Sequence, residues 1–315
     1  MVSPPELSVV VCTRDRTDDL RRALDSLTSQ KVDGYELIVV DQSRGDQTRQ
    51  VVEQGSGPNC SVRYVHLDEP GLSRAYNAGI RLARGSVLAF TDDDCIAPRD
   101  WLQSVASAFM AEPKVGLMYG QVLVPPSLSV KEGMDGVTPQ LPIEQRRRLG
   151  RRNGFRVFGM GANFAARRSV CLEVGGFDEV LGGGGPLQSA QDFDFAYRVF
   201  LQGFDILLEP AVVVYHCGFR PLGDWPAVVR SYGIGVGGFY WKHVRSGDGY
   251  AARMLLAMLL RETAGVTRKV LLRRPAATQW RYVTSVCTGI LRSHRFSVDA
   301  GRRLYRAPGH ALSPG

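Results

Sequence analysis

No stretch of this sequence stays apolar for the roughly 20 residues that a membrane-spanning helix needs. Met254 to Leu260 is the longest candidate, so a bilayer span is not expected. The six cysteines (Cys12, Cys60, Cys95, Cys171, Cys217, Cys287) include no C-x-x-C pair, which argues against a disulfide framework and a zinc ribbon and predicts reduced, mostly buried thiols. There is no G-x-x-x-x-G-K-[ST], which removes support for a P-loop nucleotide triphosphatase. The opening residues, MVSPPELSVVVC, lack a basic segment followed by a long apolar one, so a cytoplasmic location is the expectation. Lysine is scarce, at 5 against 34 arginines, a usage that hints at a GC-rich genome and suits a bacterial envelope or natural-product enzyme.

The 315 residues, 44% hydrophobic and 22% charged, have the composition of a folded globular protein. The net charge of +8 is unevenly placed: residues 221–315 carry 15 basic and 4 acidic side chains, whereas residues 1–220 carry 24 and 27. Such asymmetry suggests either a polyanionic surface as partner, nucleic acid or an anionic membrane face, of which nucleic acid is not the one expected, or a merely solvated basic helix layer. Residues 250–274 mix Met and Leu with Arg253, Arg261, Arg268, Lys269, Arg273 and Arg274, as in a helix lying on such a surface. The competing expectation is that Met254, Leu255, Met258 and Leu259 pack inward while the arginines face water.

The front half alternates strands with helices. Leu7 to Val11 is an apolar run rich in β-branched residues that predicts a strand, and Thr17-Asp18-Asp19 offers an N-cap and acids for the first turn of a helix. Leu20, Ala23, Leu24 and Leu27 share one face of that helix. Further strands are expected at Glu36 to Val40, ending in Asp41, at Val62 to Leu67, and at Ser86 to Thr91, which runs into Asp92-Asp93-Asp94. Helices are expected over Ser73 to Ala83 and after Pro98 and Asp100. This rhythm predicts an α/β fold with a mostly parallel sheet flanked by helices, and ligands of such sheets bind beyond the carboxyl ends of the strands. Residues 125–156 read as irregular, with six arginines from Arg146 to Arg156, a candidate mobile loop over the site. Gly182 to Gly185 breaks the chain before a helix starting near Ser189, and from residue 222 a helical, basic extension follows.

Three consecutive aspartates at the end of an apolar strand repel one another unless a cation or proton compensates. Hard oxygen ligands suit Mg²⁺ or Mn²⁺, ions used where phosphate oxygens complete the coordination shell. Asp192, between Gln191 and Phe193 at a helix start, fits a general base or an acid favoured by the helix dipole; Asp194 and Arg198 are spaced as a supporting pair. His216 follows the apolar run Ala211 to Tyr215 and is either a third metal ligand or a structural strand-end histidine. Gly233 to Gly238 satisfies G-x-G-x-x-G, but no clear strand precedes it, which disfavours a dinucleotide site.

The segments SVVVCTRDR, ELIVVDQS, GLSRAYNAGIRLARG, VLAFTDDDC, GANFAARRSVCLEVGGFDE, QDFDFAYRVFLQGFDI and EPAVVVYH occur in order over residues 7–218. This set resembles the family 2 glycosyltransferases of GT-A fold. The resemblance implies a catalytic domain over 1–221, with a nucleotide-sugar half (1–124) and an acceptor half (125–221), followed by the basic region 222–315. It implies that Thr13 and Arg16 border the nucleotide, that Asp41 recognises the base and that Arg74 lies near the base or diphosphate. Asp92-Asp93-Asp94 looks like the family's D-x-D, with Asp92 near ribose or metal, Asp93 also against the nucleotide and Asp94 on the metal. Asp192 matches the catalytic base, and His216 a histidine that completes the metal site in some members. Gln191 stands where Glu is usual, and Gln42 where a second Asp is frequent, which lowers the charge near base and nucleotide.

The expected function is metal-dependent, inverting transfer of a sugar from a UDP-, GDP- or dTDP-linked donor to an acceptor hydroxyl. A cell-envelope glycan, a lipid-linked acceptor or a natural product would all serve as acceptor. The alternatives are a catalytically silent nucleotide-sugar or glycan-binding module, against which Asp94, Asp192 and His216 argue, and an NAD-dependent oxidoreductase, whose glycine-rich first turn is absent.

Overall fold

The computed structural model describes residues 6–55, 59–126, 135–155 and 159–306. The opening residues Met1 to Pro5 and Arg156 lie outside the described residues. The order of elements is β1 (Leu7–Thr13), α1 (Thr17–Leu27), β2 (Tyr35–Asp41), α2 (Gln47–Gln54), β3 (Cys60–His66), α3 (Leu72–Leu82), β4 (Val87–Asp92), β5 (Cys95–Ile96) and α4 (Trp101–Ala111). Then come β6 (Val115–Leu123), β7 (Gly136–Val137), β8 (Arg147–Leu149), β9 (Asn163–Arg167), α5 (Arg168–Glu173), α6 (Gln191–Gln202), β10 (Asp205–His216) and β11 (Arg220–Pro221). The chain ends with α7 (Trp225–Arg245), α8 (Gly249–Leu271), α9 (Ala277–Ser293) and the hairpin β12 (Ser297–Asp299) and β13 (Leu304–Arg306). Two compact units result: residues 1–70, 74–176 and 195–221 form the first, and 71–73, 177–194 and 222–315 the second.

The first unit is built on a nine-stranded sheet in the order β3-β2-β1-β4-β9-β6-β10-β5, with β8 beside β10. The strands of the front half, β3, β2, β1 and β4, are all parallel, as expected; β9 enters antiparallel between β4 and β6. The apolar runs are buried on both faces: Val9, Val10, Val11, Leu37, Ile38, Val39 and Val40 are fully covered. Each such side chain contributes about 1.5–3 kcal/mol on burial. Leu20, Ala23, Leu24 and Leu27 form the inner face of α1. The chain lays down β2 and β3 on one side of β1 and β4 on the other, so order reverses between β1 and β4. That reversal opens a crevice at the strands' carboxyl ends, where Thr13 closes β1 and Asp92 closes β4.

Two expectations are corrected. The first helix begins at Thr17, but the N-cap position is Arg16, whose guanidinium has only donors and so cannot cap the helix N–H groups; it bonds Asp93 and Asp94 instead. Of the segment 125–156, residues 127–134 and Arg156 lie outside the described residues; its described arginine-rich part is anchored within the first unit, where β8 joins the sheet beside β10, Arg146 pairs with Glu209 and Glu112, and Arg148 with Glu112 and Asp205.

In the second unit, α7, α8 and α9 pack together. The G-x-G-x-x-G run falls in the interior of α7, where no strand-to-helix turn exists to hold a pyrophosphate. Its glycines serve packing. A Cβ on Gly237 would lie 2.1 Å from Val286 O, and one on Gly289 of α9 would lie 2.0 Å from Ile234 O, so the two backbones meet almost directly. Among the described residues no helix is long and apolar enough to cross a membrane.

Candidate active site

In the first unit, the sheet and the turns leaving its strands gather six of the expected site residues, Thr13, Arg16, Asp92, Asp93, Asp94 and His216. Thr13 and Asp92 sit on β1 and β4, one residue out of register across the parallel pair Cys12 with Asp92, and the chain then turns through Asp93 and Asp94 into β5. β10 arrives antiparallel to β5, setting His216 opposite Cys95. A residue more than a hundred positions away in sequence is thereby brought beside Asp94.

Hydrogen bonds fix the cluster. Thr13 Oγ1 donates to Asp93 Oδ2 at 2.7 Å, and Arg16 Nη1 reaches Asp93 Oδ1 at 3.2 Å and Asp94 Oδ2 at 2.9 Å. His216 Nε2 faces Asp94 Oδ1 at 3.5 Å, and its Nδ1 accepts from the Gly218 N–H at 3.1 Å. The backbone is equally close: a Cβ on Gly218 would meet Asp94 Oδ2 at 2.3 Å and His216 Cε1 at 2.6 Å.

The electrostatics are those of acids crowded out of water. Burial pushes Asp93 up to about 6, with Thr13 and Arg16 pulling the other way and Asp94 adding to the rise. Burial lowers His216 despite the nearby Asp94 carboxylate, which leaves a neutral imidazole near pH 7. For Arg16, burial opposes the charge but Asp93 and Asp94 outweigh it and raise its pKa. The two carboxylates are only 6% and 7% exposed, whereas the Arg16 side chain is 51% exposed and can swing into solvent.

A divalent cation fits this donor set once the imidazole proton moves to Nδ1, which gives up the Gly218 N–H bond and frees the Nε2 lone pair beside Asp94 Oδ1. Asp94 Oδ1 is buried and has no hydrogen-bond partner, the signature of a carboxylate oxygen arranged for something other than a protein donor. Asp94, Cys95 and His216 each offer one ligand atom, all within 4.8 Å of one another. Cys95 went unnoticed in sequence because a lone cysteine carries no spacing signal. Burial, reinforced by Asp92 and Asp94, raises its thiol well above the ordinary value, so it lines the site as a neutral group. Asp92 stands outside that ligand set, with the Tyr76 hydroxyl 3.5 Å from its Oδ1.

Of the other expected residues, Asp41 lies opposite Thr13 in the parallel β1–β2 pair, while Arg74 and Asp192 stand in the first turns of helices. Asp41 ends β2, fully buried, where Oδ2 accepts from Tyr64 Oη at 2.8 Å and Oδ1 from the Ser43 N–H at 2.8 Å. Burial, with that bond to Asp41, holds the Tyr64 phenol above its ordinary pKa. Arg74 lies in the first turn of α3 and pairs with Glu69. Asp192 belongs to the second unit, in the first turn of α6, where its Oδ1 accepts from the Phe193 N–H at 3.0 Å.

The family described as glycosyl transferase family 2 matches residues 8–175, more than half of the chain and the span that carries the carboxylate cluster up to Asp94. The chain belongs to this family. Among its relatives, a pre-mycofactocin glycosyltransferase of Mycobacterium tuberculosis is 28% identical over 237 residues, covering 72% of this chain and 46% of that protein. The chain thus spans about half the length of that relative. The glycosyltransferase AglE of Haloferax volcanii is 26% identical over 238 residues, covering 74% of this chain and 73% of its own. A glucosyl-dolichyl phosphate glucuronosyltransferase of the same organism is 26% identical over 246 residues, covering 72% and 74%.

Among solved structures, the mannosyltransferase PcManGT of Pyrobaculum calidifontis, in complex with GDP-Man and Mn²⁺, superposes with a TM-score of 0.60 at 21% identity, over 92% of this chain and 89% of that one. TarS 1–349 of S. aureus in complex with UDP gives 0.52 at 20% identity, over 73% and 65%. The fold is that of the GT-A transferases, a mixed and mostly parallel sheet flanked by helices.

Proposed function

We propose that this protein is a metal-dependent, inverting glycosyltransferase that moves a sugar from a nucleoside-diphosphate donor to an acceptor hydroxyl. The observation that carries the reading is the buried Asp94 Oδ1, which has no hydrogen bond and lies 3.5 Å from His216 Nε2 just beyond the end of β4. Asp94 and His216 would hold Mn²⁺ or Mg²⁺, with Asp92 beside them in the role the family pattern implies. When bound, the ion supplies Lewis-acid neutralisation of the charge that develops on the departing diphosphate. Thr13 and Arg16 border the nucleotide, and the exposed Arg16 guanidinium can leave its carboxylates to pair with phosphate oxygens. Asp41, with Arg74, shapes the nucleoside end. Asp192 removes the proton from the acceptor hydroxyl as that oxygen attacks the anomeric carbon. A single displacement inverts the configuration, so an α-linked donor gives a β-linked product.

The complexes of the two structural neighbours, with GDP-Man and with UDP, support a nucleotide-sugar donor here, and the dolichyl-phosphate relative supports a lipid-linked acceptor. A donor screen tests the reading: UDP-, GDP- and dTDP-sugars are incubated with Mn²⁺ and candidate acceptors, and free nucleotide is measured. Release of one nucleotide with product formation is expected. Metal-dependent nucleotide binding without turnover of any donor would favour the silent binding module.

The basic region is proposed to rest on an anionic membrane, which for a cytoplasmic enzyme is the inner face, where a lipid-linked acceptor would be presented. Its apolar stretch divides in two. Leu255 and Met258 are buried within the second unit, while Leu256, Leu260, Val270, Leu271 and Leu272 are more than half exposed, beside the exposed Arg253, Arg261, Arg268, Arg273 and Arg274. Trp280 of α9 is also exposed, a residue suited to the headgroup layer. Each basic residue near such a surface adds about 1 kcal/mol. Co-sedimentation with anionic but not neutral vesicles, weakened by salt and by Leu260→Asp with Leu271→Asp, is expected. No vesicle binding at low salt would overturn it.

A further inference from the structure

The first turn of α6 is fastened by a buried cluster of charges inside the second unit. Asp178, Asp194, Lys242 and His243 are all buried, the last three completely. Lys242 Nζ donates to Asp178 Oδ2 at 2.6 Å and lies 2.6 Å from Asp194 Oδ1, which also meets His243 Nε2 at 2.9 Å. Asp178 is held further by the N–H groups of Val180, at 3.1 Å, and Tyr305, at 2.8 Å, and Lys242 Nζ sits 5.4 Å over the Tyr305 ring. Burying an ammonium is unfavourable unless carboxylates pair with it, and here two do.

Asp194 stands two residues after Asp192, and its N–H closes on Ala190 O at 3.0 Å, so the turn carrying Asp192 is bracketed by this bond. The approach to that turn is strained. Gln188 and Ala190 both have φ near +67°, a left-handed conformation that side chains other than glycine resist and that persists only when the surroundings impose it. α7 supplies the constraint: Ser189 Oγ donates to Ser231 O at 2.9 Å, and a Cβ on Gly235 would lie 2.1 Å from Ser189 Oγ. An apolar residue in place of a buried ion pair often keeps a fold equally stable. A lysine clamped between two aspartates is therefore better explained by geometry held at the turn than by stability alone.

We propose that Lys242 is a positioning residue for sugar transfer: bridging Asp178 and Asp194, it locks the first turn of α6 and with it the carboxylate of Asp192. The proposal rests on Asp192 being the base. Misplacing a reacting group by about 1 Å can cost on the order of 10²-fold in rate, so a loosened turn is read out in kcat.

The test is a mutant cycle on the full chain. Lys242→Met should lower kcat at least ~10-fold while the KM for the donor and the Mn²⁺-dependent affinity for the free nucleoside diphosphate stay within about 2-fold. The double variant Lys242→Met with Asp178→Asn removes the ammonium together with one carboxylate, keeps the net charge, and should show the same split if the single variant does not fold. In an Asp192→Asn background, Lys242→Met should change the remaining rate by less than about 2-fold, because its effect passes through the missing carboxylate. Wild-type kcat in either folded variant, or an undiminished loss in the Asp192→Asn background, overturns the proposal. Normal kcat in Asp192→Asn alone removes the base reading itself, and is seen without touching Lys242.

Discussion

Two acid clusters in this chain are built from the same residue types and do opposite things. At the end of β4, Asp93 and Asp94 share a half-exposed arginine, and Asp94 Oδ1 has no hydrogen-bond partner. In the second unit, Asp178 and Asp194 close on Lys242, which has no access to solvent. The first cluster keeps an oxygen and a removable cation available for exchange. The second has its cation sealed inside, so it can hold a backbone but cannot take up a ligand. Proximity of carboxylates does not distinguish a binding site from a structural clamp; the exposure of the compensating charge does.

The sharpest way to break this contrast is at Asp94. Asp94→Ala should abolish the Mn²⁺-dependent part of nucleoside-diphosphate affinity, measured by calorimetry, without lowering the thermal transition. A variant that keeps metal-dependent affinity would mean that the open cluster is as structural as the sealed one. Next in size is Asp192→Asn, which should lower kcat at least ~10²-fold with donor binding nearly intact, as for loss of a general base. Near-normal turnover would assign the proton transfer to another group.

Gly218→Ala comes third. Its Cβ would fall 2.3 Å from Asp94 Oδ2, so Mn²⁺ affinity, followed by electron paramagnetic resonance of free Mn²⁺, should weaken by roughly 10-fold, the equivalent of ~1.4 kcal/mol. An unchanged affinity would show that Asp94 and His216 can part without consequence.

The smallest effect concerns Asp93. Its native pKa, raised to about 6 by burial from an ordinary 3.8, means that its contribution to stability is full below about 4 and is lost as pH rises through about 6. In chelator, Asp93→Asn should therefore gain thermal stability relative to the wild type between pH 5 and pH 8. A difference that does not change with pH would show that Asp93 is not a desolvated charge.

The parallel strands of the front half were legible because apolar β-branched runs ending in acids, such as Glu36 to Asp41, leave few options other than buried strands. The crowding of three aspartates was legible in sequence, but that burial, more than the neighbouring Asp94, raises Asp93, and that of the three only Asp94 joins Cys95 and His216 in a possible ligand set, needed the fold. His216 was weaker in sequence, since only the antiparallel pairing of β10 with β5 brings it beside Asp94. Lys242 was invisible as a clamp: in an arginine-rich, basic tail nothing marks one lysine as buried, and its partners lie 48 and 64 residues upstream. The glycines of α7 imitated a nucleotide loop because close helix packing and close phosphate approach both need the absence of a Cβ.

The central claim is that the open cluster holds a divalent ion on which sugar transfer depends. Its most direct test is the rate of product formation by the wild-type protein in excess chelator and after Mn²⁺ is restored. Chelation should lower the rate at least ~10³-fold, the several kcal/mol a Lewis acid contributes, and Mn²⁺ should recover it. Full transfer in excess chelator would contradict the account.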